Sequence, residues 1–337
     1  MYGLARTALF RLPPEVAHDV ALNSLRRAHA LGLAPLFSAR VENRPCTVFG
    51  LEFPNPVGLA AGLDKNGDYI EALGAMGFGF IEVGTVTPRP QPGNPKPRVF
   101  RIPQRHALIN RLGFNNKGVD HLVERLRRCR NQGIVGVNIG KNKDTPNDRA
   151  VDDYVHCLRK VYVHSAYITI NVSSPNTEGL RDLQSGSVLG GLLDALLDER
   201  DGLASHHGAY RPLLVKIAPD LSQSQVEELA RLFSSRKPDG VIATNTTVDH
   251  GAVAGLPHGD EDGGLSGEPL MGPATDVLGQ LRTVLDEDIP LIGVGGILQG
   301  ADAARKREAG ADLVQIYTGF IYRGPELIAE CARAMGK

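Results

Sequence analysis

The sequence lacks the features that would mark a nucleic-acid-binding or membrane-spanning protein. Its 37 Lys and Arg residues are balanced by 38 Asp and Glu residues, and the net charge of −1 gives no general attraction for a polyanion. No apolar run approaches the roughly 18 residues that a membrane-spanning helix needs. Charged residues interrupt the N-terminus too early for a signal peptide. We therefore expect neither a nucleic-acid partner nor a membrane span.

Cysteine, metal and acyl-transfer motifs are also missing. The four cysteines, Cys46, Cys129, Cys157 and Cys331, form no C-x-x-C pair, which predicts reduced thiols in a cytosolic protein. There is no H-E-x-x-H motif and no cluster of Cys and His, so no metal site is expected. The absence of a G-x-S-x-G elbow leaves little support for a hydrolase-type nucleophile.

What is present is a regular alternation of short apolar runs and amphipathic segments from about residue 54 onward. The apolar runs are 56–60, 80–84, 134–140, 167–172, 213–218, 240–245, 291–295 and 313–319. The predicted helices include 119–130, 222–234, 273–285 and 301–308. Repeated βα units form parallel sheets, and eight of them predict an α/β fold of the (β/α)₈ barrel type rather than an open doubly wound sheet. We assign residues 41–337 to this barrel.

Two long segments interrupt the alternation, at 87–116 and 247–272. Long loops in a compact domain are usually functional or disordered. Both segments follow the carboxyl end of a predicted strand, which is the face where barrel active sites are built. We therefore expect both to lie beside an active site.

Residues 1–40 precede the barrel and are predicted to form a helical extension, in which Pro14 and Glu15 open a helix. The first 44 residues carry six Arg and three acidic residues. Several buried apolar side chains, together with about 1 kcal/mol for each basic residue near an anionic surface, would suffice for reversible membrane attachment. The alternative is that the helix only caps the barrel floor.

Asparagines are concentrated where the predicted strands end or just beyond. They are Asn110, Asn138, Asn171, Asn176 and Asn245. Each amide offers both donors and an acceptor, so a set of them suits a flat ligand with amide or urea edges. Asparagine also favours turns and strand ends without any function.

Two lysines and two glycine-containing segments complete the candidate site. Lys216 lies inside an apolar strand, where a charge is costly unless it faces an anion. Lys65 is a weaker candidate, because Asp64 could cap a helix and leave Lys65 in solvent. The segments 293–296 and 318–319 follow the last two strands, where barrels commonly bind phosphate.

A serine follows the fourth predicted strand in the segment 171–176, NVSSPN. Pro175 keeps Ser174 out of helical geometry, in a loop over the barrel mouth. Taken alone, Ser174 could be only a turn residue.

Together these motifs closely resemble those of the class 2, quinone-dependent dihydroorotate dehydrogenases. The matching segments are 58–65 (GLAAGLDK), 84–93 (GTVTPRPQPG), 110–116 (NRLGFNN), 138–142 (NIGKN), 171–177 (NVSSPNT), 216–220 (KIAPD), 244–247 (TNTT), 263–267 (GGLSG), 293–296 (GVGG) and 317–319 (YTG). The resemblance runs nearly from end to end, and several segments are long and chemically unusual.

The resemblance implies an FMN enzyme of pyrimidine biosynthesis that oxidises dihydroorotate to orotate and passes electrons to a membrane quinone. Ser174 would take the proton from C5. The residues implied for FMN are Ala61, Gly62, Leu63, Asp64, Lys65, Thr85, Asn138, Asn171, Lys216, Thr244, Gly267, Gly296, Tyr317 and Thr318. Those implied for the substrate are Lys65, Asn110, Arg111, Leu112, Gly113, Phe114, Asn171, Asn176, Asn245 and Thr246.

For the quinone, the resemblance implies His18, Arg101 and Tyr317. It also implies a monomer attached peripherally to the cytoplasmic face of the inner cell membrane. Two alternatives stay open. One is another FMN barrel acting on a small ring substrate or a hydroxy acid, the latter needing a histidine at a strand end; the other is a non-catalytic membrane-bound binding protein.

Overall fold

A closed barrel of eight parallel strands forms the centre of the computed structural model, which describes residues 2–130 and 133–336. The described residues form these strands, of which eight belong to the barrel and five to two smaller sheets: β1 (Cys46–Val48), β2 (Leu51–Phe53), β3 (Val57–Leu59), β4 (Phe80–Val86), β5 (Val99–Ile102), β6 (Ala107–Asn110), β7 (Ile134–Ile139), β8 (Tyr167–Asn171), β9 (Leu213–Ile217), β10 (Gly240–Ala243), β11 (Gly264–Gly267), β12 (Leu291–Val294) and β13 (Leu313–Ile316). Around the barrel the order is β3, β4, β7, β8, β9, β10, β12, β13 and back to β3. The predicted (β/α)₈ fold is confirmed.

Helices surround this barrel and precede it. They are α1 (Tyr2–Leu9), α2 (Pro14–Ala30), α3 (Ile70–Gly74), α4 (Val119–Arg128), α5 (Ala150–Val161), α6 (Gly186–His207), α7 (Gln223–Arg236), α8 (Met271–Val284), α9 (Gly300–Glu308), α10 (Thr318–Arg323) and α11 (Glu326–Met335). Ser222, predicted as the first residue of a helix, is instead the N-cap of α7 and forms a capping box with Gln225. The last predicted strand is shorter than expected, because α10 already begins at Thr318.

The floor of the barrel is closed by aromatic side chains. Phe53, at the end of the β1–β2 hairpin, lies with its ring centroid 5.1 Å from that of Phe80 inside the barrel. Phe49, in the hairpin turn, reaches the ring of Tyr167 at 6.4 Å. Phe53, Phe80 and Tyr167 are almost fully buried, and burying each phenylalanine contributes about 1.5–3 kcal/mol. The hairpin, not the N-terminal extension, caps the floor.

The two long interruptions pair with each other. Strands β5 and β6, from the first, and β11, from the second, form a three-stranded antiparallel sheet in the order β11-β6-β5. Its register pairs Gly264 with Asn110 and Gly267 with Ala107. Both segments are thereby ordered beside the mouth of the barrel, where the sequence places them.

The extension lies beside the mouth as well. The Tyr2 hydroxyl donates a hydrogen bond to the Ile321 carbonyl at 2.6 Å. The Arg98 guanidinium is 3.0 Å from the carboxylate of Glu15, and Arg101 donates to the Leu12 carbonyl at 2.8 Å. These contacts fix α1, the connection to α2 and the start of α2 against the barrel.

The extension leaves large apolar side chains exposed to solvent. They are Leu4, Leu12, Val16, Val20, Leu31, Leu33, Leu36 and Phe37, with Leu4 82% exposed. Within residues 2–130 and 133–336, no helix is long and apolar enough to cross a bilayer. The exposed apolar side chains of the extension belong to α1, the connection to α2, α2 itself and the segment that follows it.

Candidate functional site

A polar cavity opens at the carboxyl ends of the barrel strands. Most of the residues predicted for FMN and substrate line it, namely Ala61, Gly62, Lys65, Thr85, Asn110, Leu112, Gly113, Phe114, Asn171, Ser174, Asn176, Lys216, Thr244, Asn245, Thr246, Gly267, Gly296, Tyr317 and Thr318. They come from β-strand ends and loops distributed over the whole chain. The barrel topology brings them together because parallel strands end at one face.

Four predicted residues do not line this cavity: Leu63, Asp64, Asn138 and Arg111. The Asp64 carboxylate accepts a hydrogen bond from the Tyr69 amide at 2.7 Å, and burial raises its pKa to about 6. The Arg111 side chain turns away and pairs with Glu261 at 2.8 Å. Asn138 is fully buried and accepts hydrogen bonds from Thr85 and Asn171, which line the cavity. Asp64 thus orders its own loop, and Asn138 supports two residues of the cavity wall through hydrogen bonds.

Lys216 presents an unpaired ammonium group to the cavity. The residue is only 5% exposed, and its Nζ makes no hydrogen bond with any described residue. Burial lowers its pKa, and the charge of Glu82 opposes that effect. A buried cation without a hydrogen-bonding partner indicates a ligand that supplies an acceptor.

Lys65 also faces the cavity, not bulk solvent. Its Nζ donates to the Gly62 carbonyl at 2.8 Å. Burial, followed by the charge of Arg98, lowers its pKa to about 8. At neutral pH the side chain is therefore mostly cationic and can bind a carboxylate.

The asparagine side chains form a continuous network. The Asn171 amide donates to Thr85 Oγ1 at 2.8 Å and to Asn138 Oδ1 at 3.1 Å. Ser173 donates to Asn171 Oδ1 at 3.0 Å, and its oxygen accepts from the Asn245 amide at 3.0 Å. Two of these amides, Asn171 and Asn245, line the cavity. The network holds each of these amides in a defined orientation at the cavity.

Ser174 is 6% exposed and lines the cavity. Its Oγ accepts a hydrogen bond from the Asn176 backbone amide at 3.3 Å. The Asn176 side chain in turn donates to Asn110 Oδ1 at 3.2 Å. The serine hydroxyl proton has no acceptor among the described side chains, so the hydroxyl can interact with a ligand.

The glycine-rich end of the cavity is built for close approach of the backbone. At Gly296, φ is +79° and an added Cβ would lie 2.3 Å from the Met271 Cα. At Gly267, φ is +97° and an added Cβ would lie 2.2 Å from the His106 carbonyl oxygen. No acidic side chain of the described residues lines the cavity. Backbone N–H groups and lysines therefore dominate its electrostatics, which suits an anionic ligand.

A second cavity, of about 840 Å³, lies between the extension and the barrel. Its lining includes His18, Arg101 and Tyr317, the residues predicted for quinone. Burial, followed by the charge of Lys65, lowers the pKa of His18 to about 4, so this histidine is neutral at neutral pH. The volume lies in the range typical of pockets for small molecules and cofactors.

The two cavities share a wall. Five residues line both: Lys65, Asn110, Leu112, Ser266 and Tyr317. A ligand in the polar cavity and one in the second cavity would thus be separated by single side chains. This is a feature that the sequence motifs do not reveal.

Some residues of the site escape sequence reasoning. Ser266 and Gln315 line the polar cavity, and Glu82 lies beneath it with 0% exposure. For Glu82 the available signal is the one that identifies Lys216, a charged residue within an apolar strand. No histidine of the described residues lines the polar cavity, so the hydroxy-acid oxidase alternative finds no support here.

The fold and the site define an α/β-barrel protein whose ligand cavity lies at the carboxyl ends of its strands. A family model described as dihydroorotate dehydrogenase matches residues 45–337. The chain therefore belongs to the dihydroorotate dehydrogenase family.

Individual relatives agree with this assignment. Dihydroorotate dehydrogenase (quinone) of Stenotrophomonas maltophilia (strain K279a) is 57% identical over 336 residues, which is 99% of this chain and 96% of the relative. The protein of the same name from Ralstonia nicotianae is 56% identical over 340 residues, which is 100% of this chain and 99% of that relative. The crystal structure of DHODH from Eimeria tenella in complex with ferulenol has a TM-score of 0.87 at 38% identity, covering 95% of this chain and 90% of that one. The resemblance to the quinone-dependent class is confirmed.

Proposed function

We propose that this chain is an FMN-dependent dihydroorotate:quinone oxidoreductase of pyrimidine biosynthesis. The observation that carries the proposal is the shared wall between two cavities. One cavity holds Ser174, the amides and the lysines, and the other is lined by the N-terminal helices. Such an arrangement suits an enzyme that oxidises a polar substrate and delivers the electrons to an apolar acceptor.

The polar cavity fits FMN by its donor set. Lys216 supplies a buried cation without a protein acceptor, and the backbone at Gly295, Gly296 and Gly319 gives a phosphate group room to approach. FMN held by these residues would supply the chemistry that accepts a hydride and passes electrons on to a quinone. Lys216 would stabilise negative charge on the reduced ring.

The substrate would be held by amides and a lysine. Asn171, Asn245 and Asn110 line the cavity and offer the donors and acceptors that match a urea-like ring edge. Lys65, with a pKa of about 8, binds the carboxylate. Both interactions are available in the observed arrangement of side chains.

Ser174 is the proposed acceptor of the C5 proton. A serine is a weak base, and its efficiency depends on a dry site and a path for its own proton. The hydroxyl is 6% exposed and donates to no described residue, which favours interaction with the substrate. Closure of the loop that carries Pro175 would exclude water at this point.

The extension, residues 1–40, would bind the membrane and admit the quinone, while residues 41–337 form the barrel. The exposed Leu and Phe side chains of the extension, together with the excess of Arg in this part of the chain, suit insertion into an anionic interface. His18, Arg101 and Tyr317 would contact the quinone. The attachment would be peripheral, at the cytoplasmic face of the inner membrane, and the enzyme would act as a monomer.

Anaerobic flavin reduction tests the first half of this function. The purified protein should show the absorbance of an oxidised flavin, and dihydroorotate should bleach it in the absence of any quinone. A protein without flavin absorbance, or a flavin that dihydroorotate leaves oxidised, would contradict the proposal. Mass spectrometry of the released cofactor distinguishes FMN from other flavins.

A further inference from the structure

A fully buried carboxylate, that of Glu82, lies inside the barrel below the polar cavity. It is on β4 and has 0% exposure. Three side chains donate hydrogen bonds to it: Asn138 at 2.8 Å, Gln315 at 2.8 Å and Tyr167 at 3.1 Å. An ionised carboxylate at such a place is costly unless hydrogen bonds and a counter-charge compensate it.

Lys216 on β9 lies in the same part of the barrel interior, since it pairs in register with Asn171, whose amide donates to Asn138, and the Asn138 amide donates to Glu82. Both side chains are buried, and the charge of Glu82 opposes the lowering of the Lys216 pKa by burial. Two tyrosines, Tyr167 and Tyr317, also lie there. Burial raises the pKa of both, to about 12 for Tyr317 and well above its usual value for Tyr167, so both stay neutral. Lys65 stands at the mouth.

The carboxylate also sets the direction of the amide network. Because the Glu82 oxygens accept from all three side chains, Asn138 turns its amide nitrogen toward Glu82 and its oxygen toward Asn171. Asn171 then presents its nitrogen to that oxygen and its own oxygen to Ser173. The orientation of the cavity amides therefore follows from one acceptor in the barrel core.

We propose that Glu82 is a positioning residue for the reaction, one that keeps Lys216 cationic at the polar cavity and orients the amides of Asn138 and Asn171. This inference rests on the proposed function, because Lys216 is there assigned to the bound cofactor. Glu82 does not line the cavity, so the inference gives it no direct contact with substrate or cofactor.

The Glu82→Gln variant removes the negative charge of the side chain and can keep the orientation of the Asn138 and Asn171 amides. The new amide oxygen can take the place of the oxygen that accepts from Asn138, and the new nitrogen then faces Tyr167 and Gln315. Gln315 can adapt by a flip, because its Oε1 has no hydrogen-bonding partner among the described residues. The tyrosine hydroxyl can rotate. The variant thus keeps the amide network and loses only the negative charge.

The measurement is a pH titration of the bound flavin's absorbance spectrum in the purified oxidised protein. Lys216→Met identifies the spectral transition that belongs to Lys216, because the transition disappears in this variant. In Glu82→Gln we expect the transition to move to lower pH by about one unit or more, since a nearby opposite charge is lost. Tyr167→Phe, which removes one hydrogen bond and keeps the carboxylate, is the matched control and should titrate like the wild type.

A Glu82→Gln protein that binds flavin and shows the transition at the wild-type pH would overturn the inference. If Glu82→Gln retains no flavin, the same pH titration is made on Glu82→Asp, because this variant keeps the negative charge. Its transition should stay near the wild-type pH, and a displacement to lower pH would contradict the role of the charge. Failure of the proposed function is a different result, since the wild type would then lack flavin or would not be reduced by dihydroorotate.

Discussion

Replacing Ser174 by alanine should impair proton transfer and leave folding intact. The hydroxyl makes one hydrogen bond to the chain, accepted from the Asn176 amide at 3.3 Å, so its loss should cost at most about 1 kcal/mol of stability. Loss of the proton acceptor should slow the reaction by about 10² to 10⁴. At about 1.4 kcal/mol for each factor of ten, this raises the barrier by about 3–5 kcal/mol. The variant should therefore fold, keep its flavin and lose most of its turnover.

The assay is stopped-flow reduction of the bound flavin at saturating dihydroorotate, with flavin content measured on the same sample. Ser173→Ala is the matched control, because this neighbouring serine bridges the amides of Asn171 and Asn245. It should weaken substrate binding more than it slows the reduction at saturation. A Ser174→Ala protein that is reduced at nearly the wild-type rate would refute the assignment of Ser174.

Three further predictions concern the extension and two lysines. A chain of residues 41–337 should retain flavin reduction by dihydroorotate and lose efficient quinone reduction, and unchanged quinone kinetics and membrane association would show that the extension only packs. Orotate affinity, followed by the flavin spectrum, should fall between pH 7 and 9, because Lys65, with a pKa of about 8, loses its charge there. Lys306→Met should raise the free energy of unfolding at pH 7 by about 1–3 kcal/mol, since the buried ammonium group has no hydrogen bond among the described residues. Burial lowers the pKa of Lys306 to about 7, so the unfolded chain binds more protons above that pH, and the gain seen in urea unfolding should shrink by pH 9.

Much of the barrel can be predicted from the sequence because each strand is a short apolar run bounded by turns. The same regularity places Asn171, Lys216 and Ser174 at one mouth, and the structure brings all three to one cavity. Lys216 is the most informative of them, because a charge within an apolar strand has few structural explanations. Glu82 carries the same signal, and its role depends on contacts across the barrel that only the structure shows.

Features that depend on long-range pairing are not readable from local pattern. The antiparallel sheet joins β6 to β11, whose residues Asn110 and Gly264 are far apart in the chain. The capping of the floor by Phe53 also depends on tertiary contacts. Likewise, the direction of the Arg111 side chain toward Glu261 cannot be derived from a motif that names Arg111 by position alone.

Dihydroorotate-dependent reduction of a quinone is the most direct test of the whole account. The purified full-length protein would be assayed with a short-chain quinone and a redox dye, with and without detergent, beside the Ser174→Ala variant. The account predicts turnover that requires both dihydroorotate and the quinone, depends on detergent or lipid, and is nearly lost in the variant. A flavin-loaded protein that reduces no quinone under these conditions would contradict it.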